Sequence, residues 1–271
     1  MKAKDFSVPD VKFSPVKSMN NGGKMVYLNH KDDSKIYLKT PEMSIPFDSG
    51  NFSHNKYMIQ VNLDDGCADF RDKLMELDAR VMEMGIENSV AWFKKKTMTP
   101  ETIENVYRPM VKLSRDKETG EPNGEFDPKF QFKIPRYDGL VKCRCFDSDK
   151  KEMNVNDETR DDYVVLGIEI PWDDRMTKAH EGVFKRGSTV KGLLRCIGVY
   201  LINGTFGCTW AAEQVQVKSP VGTNYDFLAD SDEEDDGGPG VPLDKNFVDS
   251  SSDEDEEDEG GDLSRQVSSK K

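Results

Sequence analysis

All of the net charge of this chain lies in its last 53 residues. Residues 219–271 hold 17 Asp and Glu against 4 Lys and Arg, which accounts for the net charge of −13 of the whole chain. Apolar residues become rare beyond Pro220, so burial cannot offset the entropy lost on ordering this segment. The sequence therefore predicts a disordered acidic tail over residues 219–271, and the folded core must come from the neutral, charge-rich residues before it.

The 218 residues of this body are enough for one substantial core. No stretch approaches the roughly 18 apolar residues of a membrane span, and the N-terminus lacks the apolar run of a signal peptide. We therefore expect an intracellular protein with no membrane partner. Five cysteines, an odd and sparse set, are expected to stay reduced, as in cytosol or nucleus.

Apolar and polar residues mostly alternate in short runs, which predicts a mainly β body of about eight strands. These runs are 24–30, 35–39, 56–63, 130–134, 141–146, 163–170, 188–202 and 205–218. Asn203-Gly204 between the last two is the strongest hairpin signal. The period lengthens to that of a helix between Phe70 and Trp92, and Thr99-Pro100 predicts the start of a second helix.

Three segments follow from these patterns. Residues 1–22, rich in Lys, Ser, Pro and Asn, are expected to be a flexible N-terminal segment. Residues 23–218 are expected to form one β domain with a helical insertion over about 67–113, and 219–271 the tail. Trp172, Phe206 and Trp210 lie in apolar contexts and are predicted to be core residues.

The sequence offers little support for an enzyme. His30, His54 and His180 are scattered, and neither a nucleophile motif nor a Gly-rich phosphate loop is present. Cys143 and Cys145 share one face of a predicted strand, but no second pair completes a zinc site, so they are expected to pack in the core. We predict no catalytic residues, no metal and no cofactor.

Basic residues interleaved with aromatic ones are the strongest functional pattern. Single-stranded nucleic acid requires this chemistry, because cations neutralise phosphates and rings stack on any base. Alternating Lys and Arg could instead be only the solvated face of an amphipathic sheet. The predicted nucleic-acid-binding residues are Lys94, Lys95, Lys96, Arg108, Lys112, Lys133, Arg136, Tyr137, Lys142, Arg144, Phe146, Lys191, Arg195 and Tyr200.

The tail contains a weak repeat in which an aromatic and an aliphatic residue precede serine and an acidic run. Phe227-Leu228 and Phe247-Val248 begin its two units and suit a short motif that docks a partner protein. The candidate phosphorylation sites are Ser231, Ser250, Ser251 and Ser252, which stand where acidophilic kinases act. Each phosphate would add about −1.5 to −2 charge to the tail.

Five blocks of the body form a recognisable pattern. They are Gly23-Lys24-Met25-Val26-Tyr27-Leu28, Ile36-Tyr37-Leu38-Lys39-Thr40-Pro41-Glu42-Met43, Glu87-Asn88-Ser89-Val90-Ala91-Trp92-Phe93-Lys94-Lys95-Lys96, Tyr107-Arg108-Pro109-Met110-Val111-Lys112 and Gly204-Thr205-Phe206-Gly207-Cys208-Thr209-Trp210. Together they resemble a family from large nucleocytoplasmic DNA viruses of algae and protists, similar to the single-stranded DNA-binding proteins of podophages. The resemblance covers roughly residues 20–218.

This resemblance implies an elaborated OB-fold-like β-barrel and sequence-nonspecific binding of single-stranded DNA in viral replication, recombination or repair. It also implies an acidic tail that recruits replication proteins, such as a polymerase, helicase or primase, and competes with DNA for the groove. The expected location is the host nucleus or a cytoplasmic viral replication site. The phage tails end in an acidic residue and an aromatic one, whereas this chain ends in Lys270-Lys271.

The alternative is a protein-interaction or histone-chaperone-like module whose acidic tail captures basic partners and whose body does not bind nucleic acid. The sequence leaves open whether RNA competes with DNA, and whether the barrel forms a homodimer.

Overall fold

The computed structural model describes residues 1–20, 22–47, 57–168 and 182–220. These residues form thirteen strands and three α-helices, with short 3₁₀ turns between some of them. The strands are β1 Lys12–Phe13, β2 Lys17–Ser18, β3 Lys24–Asn29, β4 Tyr37–Lys39, β5 Met43–Ser44, β6 Met58–Asn62, β7 Tyr107–Arg108, β8 Lys129–Lys133, β9 Arg136–Tyr137, β10 Leu140–Val141, β11 Arg144–Phe146, β12 Thr189–Ile202 and β13 Thr205–Lys218. The helices are α1 Ala68–Glu87, α2 Ser89–Phe93 and α3 Pro100–Val106.

The hairpin of β12 and β13 forms the centre of the sheet. Its two strands pair antiparallel from Thr189 opposite Lys218 to Ile202 opposite Thr205. Asn203 and Gly204 turn the chain with φ of 50° and 74°, and two successive positive φ angles suit a two-residue hairpin turn. The hairpin predicted at Asn203-Gly204 is therefore present.

Each strand of this hairpin carries several short strands along its free edge. β12 pairs in turn with β5, β4 and β3, and β13 pairs with β7, β8 and β11. β8 also pairs with β6. β6 in turn contacts β5, because Asn62 Nδ2 on β6 donates a hydrogen bond to Ser44 Oγ at 3.1 Å. This contact completes a circuit of strands that runs from β5 through β12, β13, β8 and β6 back to β5. The strands thus curve into a barrel around a core that includes Val26, Leu38, Ile59, Phe132, Leu194 and Trp210.

The helical insertion packs against this barrel through one face of α1. The buried residues Phe70, Leu74, Leu77, Asp78, Val81 and Gly85 follow the helical period. Phe206 at the start of β13 lies 6.2 Å from the ring of Trp92, 5.0 Å from Phe93 and 4.9 Å from Tyr107. The insertion is therefore attached to the hairpin beside its turn. Thr99 caps α3 by accepting a hydrogen bond from the Thr102 N–H, and Pro100 follows, as predicted.

The structure corrects the prediction of a flexible segment over residues 1–22. In its described part, Phe6, Val8 and Val11 are buried, and β1 and β2 pair with β3. The apolar side chains that fix this segment are spaced among polar residues, so composition alone does not reveal them.

Three further predictions differ in detail. The strand predicted over 141–146 is divided into β10, which pairs with β9, and β11, which pairs with β13. The strand predicted over 163–170 is absent in its described part, 163–168, where Gly167 has φ of 84°. The single helix predicted between Phe70 and Trp92 is two helices that meet at Asn88.

The fold class is confirmed as mainly β with one helical insertion. Within the described ranges, no helix is both long and apolar enough to span a membrane. The predicted tail lies outside the described residues except for Ser219 and Pro220.

A glycine on β12 permits the close packing of β12 against β3. Gly198 has φ of 142°, and a Cβ built there would lie 2.2 Å from the Val26 carbonyl oxygen. Gly204 also has a positive φ, but a Cβ there would meet nothing within 4 Å. We expect Gly198→Ala to lower the free energy of unfolding by about 3 kcal/mol or more, because it adds a backbone clash to the strain.

The matched variant, Gly204→Ala, should cost about 1 to 2 kcal/mol, the strain of a left-handed alanine alone. Urea unfolding of both variants measures the difference. Equal losses would show that β12 and β3 can separate enough to admit a methyl group.

Candidate nucleic-acid interface

Eight of the predicted binding residues are brought to one face of the sheet by its register. Directly paired residues of neighbouring strands present their side chains on the same face. Lys191 is opposite Gln216, Arg195 is opposite Ala211, and Tyr200 is opposite Gly207. Val190, Leu194, Cys196 and Val199 alternate with them and are buried. We call the side that carries Lys191, Arg195 and Tyr200 the outward face of β12 and β13.

Neighbouring strands continue this face beyond the outer edge of β13. Arg108 of β7 is paired with Gly207, and Lys133 of β8 is paired with Ala211. Arg144 and Phe146 of β11 are paired with Gln214 and Gln216. Lys112 follows β7 and is bridged to Lys129. The alternation of basic and buried residues therefore places the predicted cations on a common surface.

Part of the outward face is a groove of about 620 Å³, here called the cationic groove. Its basic side chains among the described residues come from three segments: Lys24 of β3, Arg108 of β7 with Lys112 shortly after it, and Lys133 of β8. Tyr200 lies among them, and Met25, Met58 and Gln131 complete the walls. No carboxylate of the described residues lines this groove. The body is neutral on average, but this surface is locally positive.

Local contacts hold two cations of the groove in place. Lys112 Nζ donates to Gln131 Oε1 at 2.8 Å, and loss of hydration lowers the pKa of its ammonium. Lys24 Nζ donates to the Trp92 carbonyl at the end of α2, at 2.9 Å. Lys112 and Lys24 are thus positioned in advance of any ligand, which reduces the entropy lost on binding.

A buried carboxyl group anchors the segment that carries Arg108 and Lys112. Asp78 of α1 accepts hydrogen bonds from the Tyr107 hydroxyl and, at 2.9 Å, from the Met110 N–H. Met110 Sδ in turn accepts from Trp210 Nε1 at 2.9 Å. Burial raises the pKa of Asp78 to about 7, although these hydrogen bonds oppose the shift. The helical insertion therefore fixes one wall of the cationic groove through Asp78.

Other predicted cations on the outward face are paired with carboxylates. Arg144 Nη2 lies 2.6 Å from Glu152 Oε2, with its guanidinium 5.0 Å from the centre of the Phe146 ring. The hydrogen bond to Glu152 raises the pKa of Arg144. Arg195 forms an ion pair with Glu213, and Lys191 Nζ lies 3.5 Å from Glu42 Oε2. Phosphates binding here would have to compete with these carboxylates.

The remaining predicted residues lie outside the groove lining. Arg136 and Tyr137 form β9, where the Arg136 guanidinium lies 4.9 Å from the centre of the Tyr57 ring and Tyr137 is 61% exposed. Lys142 is exposed between β10 and β11. Lys94, Lys95 and Lys96 follow α2, close to the Trp92 carbonyl that Lys24 contacts. The structure does not join them into one site with the groove.

Sequence reasoning missed Lys24 and Gln131. Lys24 begins a strand recognised from the sequence, but it has no alternating basic partner nearby. Its role depends on the distant Trp92, which it contacts across 68 residues of chain. Gln131 was considered only as part of a strand, and its link to Lys112 requires the fold.

The cysteines and the two remaining core predictions behave as apolar residues. Cys143, Cys145, Phe206 and Trp210 are buried. Within the described part of the chain, no three His, Cys, Asp or Glu side chains gather as metal ligands. Trp172 and the tail residues Phe227, Leu228, Phe247, Val248, Ser231, Ser250, Ser251 and Ser252 lie outside the described residues.

Comparison with known proteins found no matching family model and no matching curated protein. Solved structures of phage proteins do match. The gp2.5 single-stranded DNA-binding protein encoded by bacteriophage T7 aligns at 14% identity and a TM-score of 0.36, over 76% of this chain and all of its own.

The single-stranded DNA-binding protein of bacteriophage Enc34 aligns at 11% identity and a TM-score of 0.33, over 81% of this chain and 98% of its own. The same phage protein in complex with single-stranded DNA aligns at 10% identity and a TM-score of 0.34, over 78% and 99% of the two chains. Similarity at this level decides neither the fold nor the function of this chain.

The raised pKa of Asp78 predicts a specific pH dependence of stability. Its folded-state pKa of about 7 exceeds the unfolded value of about 3.9, so the folded protein binds this proton more tightly. The resulting stabilisation is complete below the unfolded pKa and is lost as pH rises through the folded pKa. Relative to Asp78→Asn, the wild type should lose about 2 to 3 kcal/mol of stability between about pH 5 and pH 8.

Denaturant unfolding of both proteins across this range measures the effect. The carboxylates with lowered pKa, such as Asp32 and Glu42, titrate below this window and are present in both proteins. A difference that stays constant with pH would mean that Asp78 is already fully ionised in the folded state.

Proposed function

We propose that this protein binds single-stranded DNA without sequence preference through the cationic groove. The observation that carries the proposal is the convergence of Lys24, Arg108, Lys112 and Lys133 around Tyr200, with no carboxylate among the described residues of the lining. A sequence-tolerant binder needs cations for the phosphates and an aromatic face for unpaired bases. The groove supplies both.

The preference for single strands follows from the aromatic and apolar walls of the groove. In a duplex the bases are stacked on one another, so Tyr200 could reach a base face only in an unpaired strand. Met25 and Met58 offer further apolar contact to such a base. The choice of DNA over RNA, and a role in viral DNA replication, recombination or repair inside the host cell, rests on the sequence resemblance.

Substituting two groove cations should weaken binding and also reduce its dependence on salt, because two phosphate contacts are lost. Each neutralised phosphate contributes about 0.7 to the slope of log affinity against log salt for single strands. We expect Arg108→Gln with Lys133→Gln to reduce this slope by about 1.4, equivalent to about 25-fold weaker binding at roughly 0.1 M salt. Fluorescence anisotropy of labelled oligo(dT) across a salt series measures it.

The control carries Arg160→Gln with Lys117→Gln, an equal charge change at residues that do not line the groove. If both double variants lose affinity equally, the groove is not the binding site. If the wild type binds duplex as tightly as single strands, the proposed preference is wrong. If residues 1–218 do not bind oligo(dT) while residues 219–271 bind basic proteins, the protein-interaction or histone-chaperone-like alternative is favoured.

The acidic tail is proposed to compete with DNA for the cationic groove and to recruit replication proteins. Residues 219–271 carry 17 acidic side chains, and the groove is positive. Deleting residues 219–271 should therefore tighten binding to oligo(dT), most strongly at low salt. Anisotropy on the full chain and on residues 1–218 tests this expectation. If the deletion leaves the affinity for oligo(dT) unchanged, the tail does not compete with DNA, and recruitment of partners is its only proposed role.

A further inference from the structure

A second positive cavity lies at the opposite end of β12 from Tyr200. It has a volume of about 740 Å³, and its lining among the described residues includes five lysines, namely Lys2, Lys4, Lys39, Lys150 and Lys191. We call it the lysine basin. Only Lys191 among these five belongs to the binding residues predicted from the sequence. Phe146, Thr40 and the backbone around Gly192 also contribute to its lining.

The first residues of the chain are fixed beside β4, and this brings two of the lysines into the basin. The Met1 ammonium donates to the Tyr37 carbonyl at 2.9 Å, and the Lys39 N–H donates to the Met1 carbonyl at 2.9 Å. Lys2 is bridged to Lys39. The basin is therefore assembled from the N-terminus, β4, β12 and the loop that holds Lys150.

The charge of the basin remains strongly positive after its acidic neighbours are counted. Asp69 is the one carboxylate among its described lining residues. Glu42 pairs with Lys191 from outside this lining and also binds Lys218, whose hydrogen bond lowers the pKa of Glu42. No ion pair of the described residues involves Lys2, Lys4, Lys39 or Lys150. Such a surface fits a polyanion with spaced charges, such as a phosphate backbone.

The outward face of β12 connects the basin to the cationic groove. Lys191 lines the basin, and Tyr200 lines the groove nine residues later. At about 3.3 Å per residue the two are roughly 30 Å apart along the strand. Between them lies Arg195, and Tyr37 of β4 is paired beside it on the same face. Cations and rings therefore occupy both ends and the middle of this path, and at the middle a phosphate would have to displace Glu213 from Arg195.

We propose that the lysine basin binds a second stretch of the same single strand that occupies the cationic groove, with the strand following the outward face of β12 between them. This inference rests on the proposed function, because the groove must bind single strands first. It predicts that a short oligonucleotide occupies the groove alone, whereas a longer one neutralises the basin as well.

The test compares oligo(dT) of about 6 and about 16 nucleotides, which spans the site sizes of OB folds, on the full chain. The basin variant carries Lys4→Gln, Lys39→Gln and Lys150→Gln. Its control carries Lys35→Gln, Lys73→Gln and Lys117→Gln, three lysines that line neither the basin nor the groove. Thermal unfolding checks that both variants are folded, and anisotropy across a salt series gives the affinities.

With the longer oligonucleotide, the basin variant should lose about 2 from the salt slope, or about 100-fold in affinity at roughly 0.1 M salt. With the shorter one it should match the control within about twofold. Equal behaviour of the two variants on the longer strand, or equal losses on both lengths, overturns the inference while leaving the groove intact. If the wild type binds neither oligonucleotide, the proposed function fails as well.

Discussion

The pairing of β12 with β13 is the interaction on which the rest of the structure depends. Both strands are 14 residues long, and the shorter strands β3, β4, β5, β7, β8 and β11 pair with their outer edges. An isolated two-stranded hairpin is at most marginally stable in water, so this one requires those edge strands and the helical insertion to cover its buried face. In return it sets the register of β7, β8 and β11, which carry Arg108, Lys133, Arg144 and Phe146.

That register explains how a neutral body can present a positive surface. Alternation along β12, together with the register shift between Cys196 and Gly198, sends Val190, Leu194 and Val199 to the core and Lys191, Arg195 and Tyr200 to the outward face. Neighbouring strands add Arg108, Lys133 and Arg144 to the same face. The carboxylates Glu42, Glu152 and Glu213 pair with cations away from the cationic groove, which leaves the groove itself without an acidic residue among its described lining.

Local patterns predicted much of the fold, whereas long-range pairing was not accessible to them. The turn at Asn203-Gly204, the cap at Thr99 and the alternation around Cys143 and Cys145 each depend on a few adjacent residues, so the sequence was sufficient. The barrel circuit depends on contacts such as Asn62 with Ser44, and nothing in either segment specifies its partner. The burial of Asp78 could not be predicted for the same reason, since its hydrogen-bond donors lie about 30 residues away in the sequence.

The candidate site was also predicted only as far as local patterns reach. Period-two spacing predicted that Lys191 and Arg195 share a face, but it could not add Tyr200, which joins that face through the register shift between Cys196 and Gly198. Nor could it show that Lys2 and Lys39 lie beside Lys191 or that Lys24 lies beside Tyr200. Those neighbours come from segments more than 100 residues away in sequence. A surface built from so many segments can be seen only after the strands are paired.

The most direct test of the central claim is to locate a bound strand on the protein. Oligo(dT) carrying iodinated uracil can be photo-crosslinked to the full chain and the adducts mapped by mass spectrometry. The outward face of β12 predicts adducts at Tyr200, with longer oligonucleotides adding Tyr37 or Phe146. Adducts confined to rings away from that face, such as Phe13 or Tyr163, would contradict it.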